Sequence, residues 1–218
     1  MAIYSFRFAR FWEIFVILRL LSDNLDAILD RIRNSHLQRY GFLQHNLFTT
    51  NVGTDLEYQC VFNGFYKMQR RNEQWYRYYF SLLEREKNNK SITFQKVIEQ
   101  IYSDNGRVEP SFSSKLVATI RPDKPVYDRH VCMNLDLKIP GAHKSAVDRL
   151  KGYVEMYATL EAATEDLIKA PAFTRTLRPA FDNRFAEYTY IADVKKLDFL
   201  IWQFRNASKN AYPKAVRI

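Results

Sequence analysis

Pro122 and Pro125 bracket a five-residue segment, Arg121-Pro122-Asp123-Lys124-Pro125, that restricts the path of the chain more than any other stretch of it. Proline holds φ at about −65° and lacks an amide donor, and the residue before it is pushed towards extended geometry, so no helix runs through such a segment. It reads as a return loop. On its N-terminal side, from Glu109, Pro110-Ser111-Phe112-Ser113-Ser114-Lys115-Leu116-Val117-Ala118-Thr119-Ile120 predicts a short helix entered through Ser111. On its C-terminal side a second helix starts at Asp128, a good N-cap residue, and runs to Leu135. The first helix carries one lysine in its opening turn, Lys115, thirteen residues before Asp128. Helix from Lys115 to Ile120 takes the chain roughly 7 to 8 Å away. The extended return from Arg121 to Tyr127 can span roughly 20 Å or more, which is enough to bring the two side chains together.

Elsewhere the apolar residues recur at three-four spacing, and no run alternates as a half-buried strand would. Leu25, Ile28, Leu29 and Ile32 predict a helix over Asn24 to His36 behind an Asp23 or Ser22 cap. Phe94, Val97, Ile98 and Ile101 predict one from Thr93 to about Tyr102, ending at Asn105-Gly106. Ser145 opens a long helix through about Leu167, and Asp193 caps a last one to Arg205 whose apolar surface is wide enough to meet several neighbours. Six glycines among 218 residues, with 15% aromatics, fit packed helices better than turn-rich sheets. The expected fold is all-α, a compact multi-helix domain over residues 51–218 with an N-terminal helical extension over 1–50. The boundary is set at the polar stretch Thr49-Thr50-Asn51-Val52-Gly53-Thr54.

In the N-terminal run Ile3 to Leu21, charges at Arg7, Arg10, Glu13 and Arg19 leave Ile14 to Leu18 as the longest uncharged apolar stretch. That is far short of the roughly 20 residues a membrane span requires, so an amphipathic helix is expected, with a membrane-surface role as a minor alternative. Cys60 and Cys132 have no metal-type spacing with the histidines and read as two reduced, buried thiols of an intracellular, cytoplasmic protein. No metal constellation, phosphate-binding glycine loop or iron–sulfur cysteine set is present, so no cofactor is expected.

A formal charge of +9 makes a polyanion, and DNA first, the partner to consider. Between Asp55 and Lys87, aromatics crowd together with Lys67, Arg70, Arg71, Arg77 and Arg85. The spacing Trp75, Tyr79, Leu82, Leu83 is that of a core stripe with the arginines on its solvated face, although interleaved arginines and rings also suit nucleic acid. Arg70, Arg71, Lys195, Lys196 and Arg205 are the expected DNA-binding residues, with Lys209, Lys214 and Arg217 extending a basic tail.

Ser111-Phe112-Ser113-Ser114-Lys115, the apolar helix after it, and Pro125-Val126-Tyr127-Asp128-Arg129-His130-Val131 together resemble the catalytic stretch of the helix-hairpin-helix DNA glycosylases, the superfamily of endonuclease III and the 8-oxoguanine glycosylases. The resemblance covers about 25 residues. Ser111 and Ser113 stand where the family's hairpin usually carries glycine, and the lysine-to-aspartate interval is shorter than in its best-known members. It implies an all-helical base-excision enzyme of DNA repair or defence, a hydrolase with lyase activity where the lysine attacks. Lys115 would be the nucleophile, Asp128 its activator, and His130 would fall where some members also carry histidine. Phe112 and Tyr127, by proximity, are the expected lining of the pocket for a flipped base. A different class of function stands beside this one: a non-catalytic basic helical module that binds nucleic acid or a protein partner.

Overall fold

The structure, a computed structural model, describes residues 14–135 and 137–204, with the backbone alone at 129, 130 and 134. Among the described residues every regular element is helical. A helix over 14–23 (α1) is followed by α2 (Leu25–Arg31), α3 (Asn34–Asn46), α4 (Leu56–Tyr66), α5 (Glu73–Glu86), α6 (Phe94–Asn105), α7 (Pro110–Ile120), α8 (Arg129–Asn134), α9 (Ala146–Lys169), α10 (Arg178–Arg184) and α11 (Asp193–Gln203). A π-helical turn, Phe173–Leu177, leads into α10, and a short 3₁₀ turn, Ala186–Tyr188, leaves it.

Local chemistry explains most of the boundaries. The side chains of Asp55, Asn72, Thr93 and Ser145 accept the amides of Tyr58, Trp75, Lys96 and Asp148, so α4, α5, α6 and α9 are N-capped by short polar residues. Gly106, at φ 66°, ends α6 in the left-handed conformation that glycine adopts without a Cβ penalty. Two expectations are corrected. The helix expected over Asn24 to His36 is broken at Ile32, whose ψ of 106° is extended, and α3 starts afresh at Asn34. Asp193 does not cap α11; it lies inside the first turn, where its carboxylate is 3.4 Å from Arg178.

The buried side chains fall into two clusters. One joins Ile17, Leu21, Ile28 and Leu37 to Tyr157, Leu160, Phe173, Phe181, Leu197 and Leu200, so the two ends of the described chain close one core. The other joins Leu43, Leu47 and Val52 to Phe62, Tyr79, Phe80, Leu83, Ile101, Leu116 and Val117. Residues 14–50 contribute to both clusters, so residue 50 marks no break in the packing. Cys132 is buried and its thiol is pushed up to about 12, by burial first and then by the Asp128 carboxylate. Cys60, expected inside, is exposed on α4. No helix among the described residues is long and apolar enough to cross a membrane.

Candidate active site

Helix α7 is the best-fixed element around the central return loop. Residues Leu116 to Ile120 are all buried, and so are Ser113 and Ser114. Buried hydroxyls need partners: Ser113 Oγ donates to Glu109 O at 2.8 Å, and Thr119 Oγ1 donates to Lys115 O at 2.7 Å while lying 3.2 Å from Tyr66 Oη. Tyr79 Oη donates to Phe112 O at 3.0 Å from α5, and Gln44 Nε2 donates to Thr119 O at 3.2 Å from α3. The helix is therefore held from three directions before its one lysine is considered.

The return loop is held as firmly. Tyr157 Oη on α9 donates to Pro125 O at 2.8 Å, and Lys124 is paired with Glu161 of the same helix at 3.0 Å. Tyr127 N donates to Ser114 Oγ at 2.9 Å. The last bond ties the residue before Asp128 to the residue before Lys115, which brings the two expected site residues to the same place. Asp128 immediately precedes α8 and its carbonyl accepts the Cys132 amide, as expected of an N-cap backbone. Lys115 lies one residue further into its helix than the sequence suggested, because α7 starts at Pro110 rather than Ser111.

Lys115 and Asp128 line one cleft of about 140 Å³, together with His36, Arg39, Gly64, Phe65, Tyr66, Lys67, Val126, Lys195, Asp198, Phe199 and Trp202. Helices α3, α4, α7 and α11 and the end of the return loop each supply part of its wall. Its apolar surfaces are the rings of Phe65, Tyr66, Phe199 and Trp202. Arg39 and Lys67 are exposed at the wall, and Lys67 Nζ lies 4.6 Å above the Trp202 ring. His36 meets the same ring edge-on at 6.1 Å, and burial, then Arg33, Arg39 and Lys67, holds its imidazole below the usual range.

Burial pushes the Lys115 ammonium down to about 8; Asp128 opposes that shift and Lys195 adds to it. An amine in that state has an appreciable neutral fraction near neutral pH, as a nitrogen nucleophile requires. Lys195 behaves differently although it is the more enclosed of the two. Burial alone would push it down, but Asp198 at 2.5 Å, with Tyr66 and Asp128 beyond, outweighs burial and the net shift is upward. Its Nζ sits 5.1 to 5.5 Å from the rings of Tyr40, Phe65, Tyr66 and Phe199. The cleft thus holds one amine poised to lose its proton and one locked in the charged form.

The other expected residues are placed differently. Phe112 and Tyr127 are buried and are not part of the cleft wall: Phe112 packs on Trp75 at 4.3 Å between ring centroids, with Lys115 Nζ 5.6 Å from the Phe112 ring, and Tyr127 packs edge-on against Tyr153. Lys196 is turned inward, not towards a phosphate backbone, with its ammonium 2.6 Å from Asp182 and donating to Thr189 O at 3.0 Å. Lys195 is likewise buried, in the cleft floor. Arg71 is committed to Glu109 at 2.6 Å and lies over the Phe112 ring at 5.2 Å, whereas Arg70 is exposed. The His130 side chain and Arg205 lie outside the described residues. His36, Arg39, Asp198 and Trp202 escaped the sequence reading as site residues, and Lys67 figured in it only as one of the basic residues among the aromatics of 55–87. A signal existed for one of them: Lys195 and Asp198 are three apart on a helix with a wide apolar surface, a spacing that pairs them.

The chain matches no protein-family model, no curated protein and no solved structure.

Proposed function

We propose that the chain is a DNA base-excision enzyme, similar in architecture to the helix-hairpin-helix glycosylases, that removes a modified or foreign base with Lys115 as nucleophile and Asp128 as its activator. The observation that carries this reading is that the Lys115 amine, brought down to about 8, and the Asp128 carboxylate line the same ring-walled cleft. The neutral amine attacks C1′ of a flipped nucleotide, the C1′–N bond breaks, and the base leaves with the bonding pair and takes up a proton. Asp128 accepts the proton that the amine gives up and stabilises positive charge developing on the sugar. Opening of the sugar ring then leaves an imine to Lys115. Phe65, Tyr66, Phe199 and Trp202 supply flat apolar surface for the extruded base. Arg39 and Lys67, exposed beside them, take over the phosphate-gripping role expected of Lys195 and Lys196.

Borohydride trapping on a panel of oligonucleotides carrying different modified bases tests the reading. The wild-type protein is expected to become covalently joined to DNA holding its substrate base, and Lys115→Gln is expected to abolish the adduct. Excision that persists in Lys115→Gln without trapping would reassign the reaction to water activated by Asp128. DNA binding without excision from any duplex or single strand would favour the non-catalytic module.

A further inference from the structure

Lys195 and Asp198 play no part in the reaction as written above, yet they occupy the floor of the same cleft. An ion pair at that depth costs desolvation energy that an apolar pair of similar volume would avoid, so its presence calls for a physical account. Around it, Tyr40, Phe65, Tyr66 and Phe199 present ring surfaces at 5.1 to 5.5 Å, which suit a cation and leave it little room to move. One rotamer is thereby fixed, and with it the position of a permanent positive charge.

We propose that the Lys195–Asp198 pair is a positioning unit of the site, which holds a fixed ammonium in the cleft floor so that protonation of the Lys115 amine is disfavoured and it stays nucleophilic. This rests on the reading of Lys115 as the reactive amine. The charged and titratable groups that face Lys115 across the cleft are His36 and Arg39 from α3, Tyr66 and Lys67 from α4, Asp128 at the end of the return loop, and Lys195 and Asp198 from α11. Of these, Asp128 acts on both lysines and draws protons to each, and Lys195 is the group whose charge works against protonation of Lys115. Asp198 keeps Lys195 charged. Lys115, which burial lowers most and Lys195 lowers further, gives up its proton more readily than Lys195, although both lie in the same cleft.

The test needs no DNA. The rate at which a small uncharged amine reagent modifies Lys115, followed by mass spectrometry of its peptide across a pH series, reports the neutral fraction of that amine. In the wild-type protein the midpoint should lie near pH 8. Lys195→Met should raise it by about one unit and slow modification of Lys115 at neutral pH roughly tenfold, the size expected when a nearby like charge is removed. The double variant Lys195→Met/Asp198→Asn, which leaves no unpaired buried carboxylate, replaces the single one if that fails to fold, and its midpoint must also rise. Lys196→Met is the control: its amine is bound to Asp182 away from the cleft, and its loss should leave the midpoint unchanged. A folded Lys195 variant with the wild-type midpoint would overturn the proposal. Failure to excise any base, with the midpoint shift intact, would count against the base-excision reading alone.

Discussion

The Ser114 hydroxyl accepts the Tyr127 amide at 2.9 Å, so the neighbours of Lys115 and Asp128 are bonded directly to each other. Both groups are buried, and an orphaned buried amide costs about 1 to 3 kcal/mol. Ser114→Ala should lower unfolding free energy by about that amount in denaturant titration. It should also slow borohydride trapping while leaving the titration midpoint of Lys115 near its wild-type value, because register is lost and charge is not. An unchanged trapping rate would show that the return loop holds its place without this bond.

Asp128→Asn should separate the two effects of that carboxylate. Asp128 raises the proton affinity of Lys115, so its neutralisation should lower the amine's midpoint further and make it more nucleophilic at neutral pH. Excision should nevertheless fall by a factor of about a hundred or more, because the proton acceptor is gone. If single-turnover excision rises together with the neutral amine fraction, Asp128 is no activator.

Lys115 also marks the stability of the fold against pH. Its folded value lies below the unfolded 10.5, so between about pH 8 and 10.5 the unfolded chain binds more protons, and this residue's contribution to stability rises with pH. Below about pH 8 the site pays the full cost of charging a buried amine. Lys115→Met should therefore be more stable than wild type at neutral pH, by a margin that shrinks through that window. Paired unfolding curves at several pH values measure it, and a pH-independent difference would contradict the lowered value.

Arg39→Gln and Lys67→Gln should each weaken DNA binding and reduce the slope of log affinity against log salt by about one, the signature of one lost phosphate contact. Lys196→Gln should leave that slope alone. It removes one partner of a largely enclosed ion pair and should cost about 3 kcal/mol of stability instead. A reduced salt slope in Lys196→Gln, with stability intact, would reverse the assignment.

The helices were legible because their signals are local. Thr93, Ser145 and the Asn105-Gly106 pair act within a turn of where they stand, and each ends or starts a helix as its chemistry dictates. The return loop was legible for the same reason, since two prolines leave few alternatives. Side-chain direction was not. Beyond the Asp198 spaced to pair with Lys195, little within a few residues of Lys195 or Lys196 distinguishes a surface lysine from a buried one; Asp182, the partner of Lys196, is on α10, and the rings around Lys195 come from α3 and α4 as well as α11. Phe112 and Tyr127 were expected in the pocket because they adjoin the right residues; Phe112 does lie beside the Lys115 ammonium, but it is packed on Trp75 of α5, and Tyr127 packs on Tyr153 of α9. The ring-walled cleft is a tertiary object, and no single stretch of sequence contains it.

A cleft assembled from residues as far apart as His36 and Trp202 also orders events during synthesis. Lys115 leaves the ribosome well ahead of α11, and translating the stretch between them takes on the order of ten seconds. Until α11 docks, Lys115 has neither the enclosure that lowers its proton affinity nor the Lys195 charge that assists it. A nascent chain arrested before Asp193 would carry an ordinary, solvated, protonated lysine at position 115. Docking of α11 is then the step that completes the surroundings by which this amine's proton affinity is lowered.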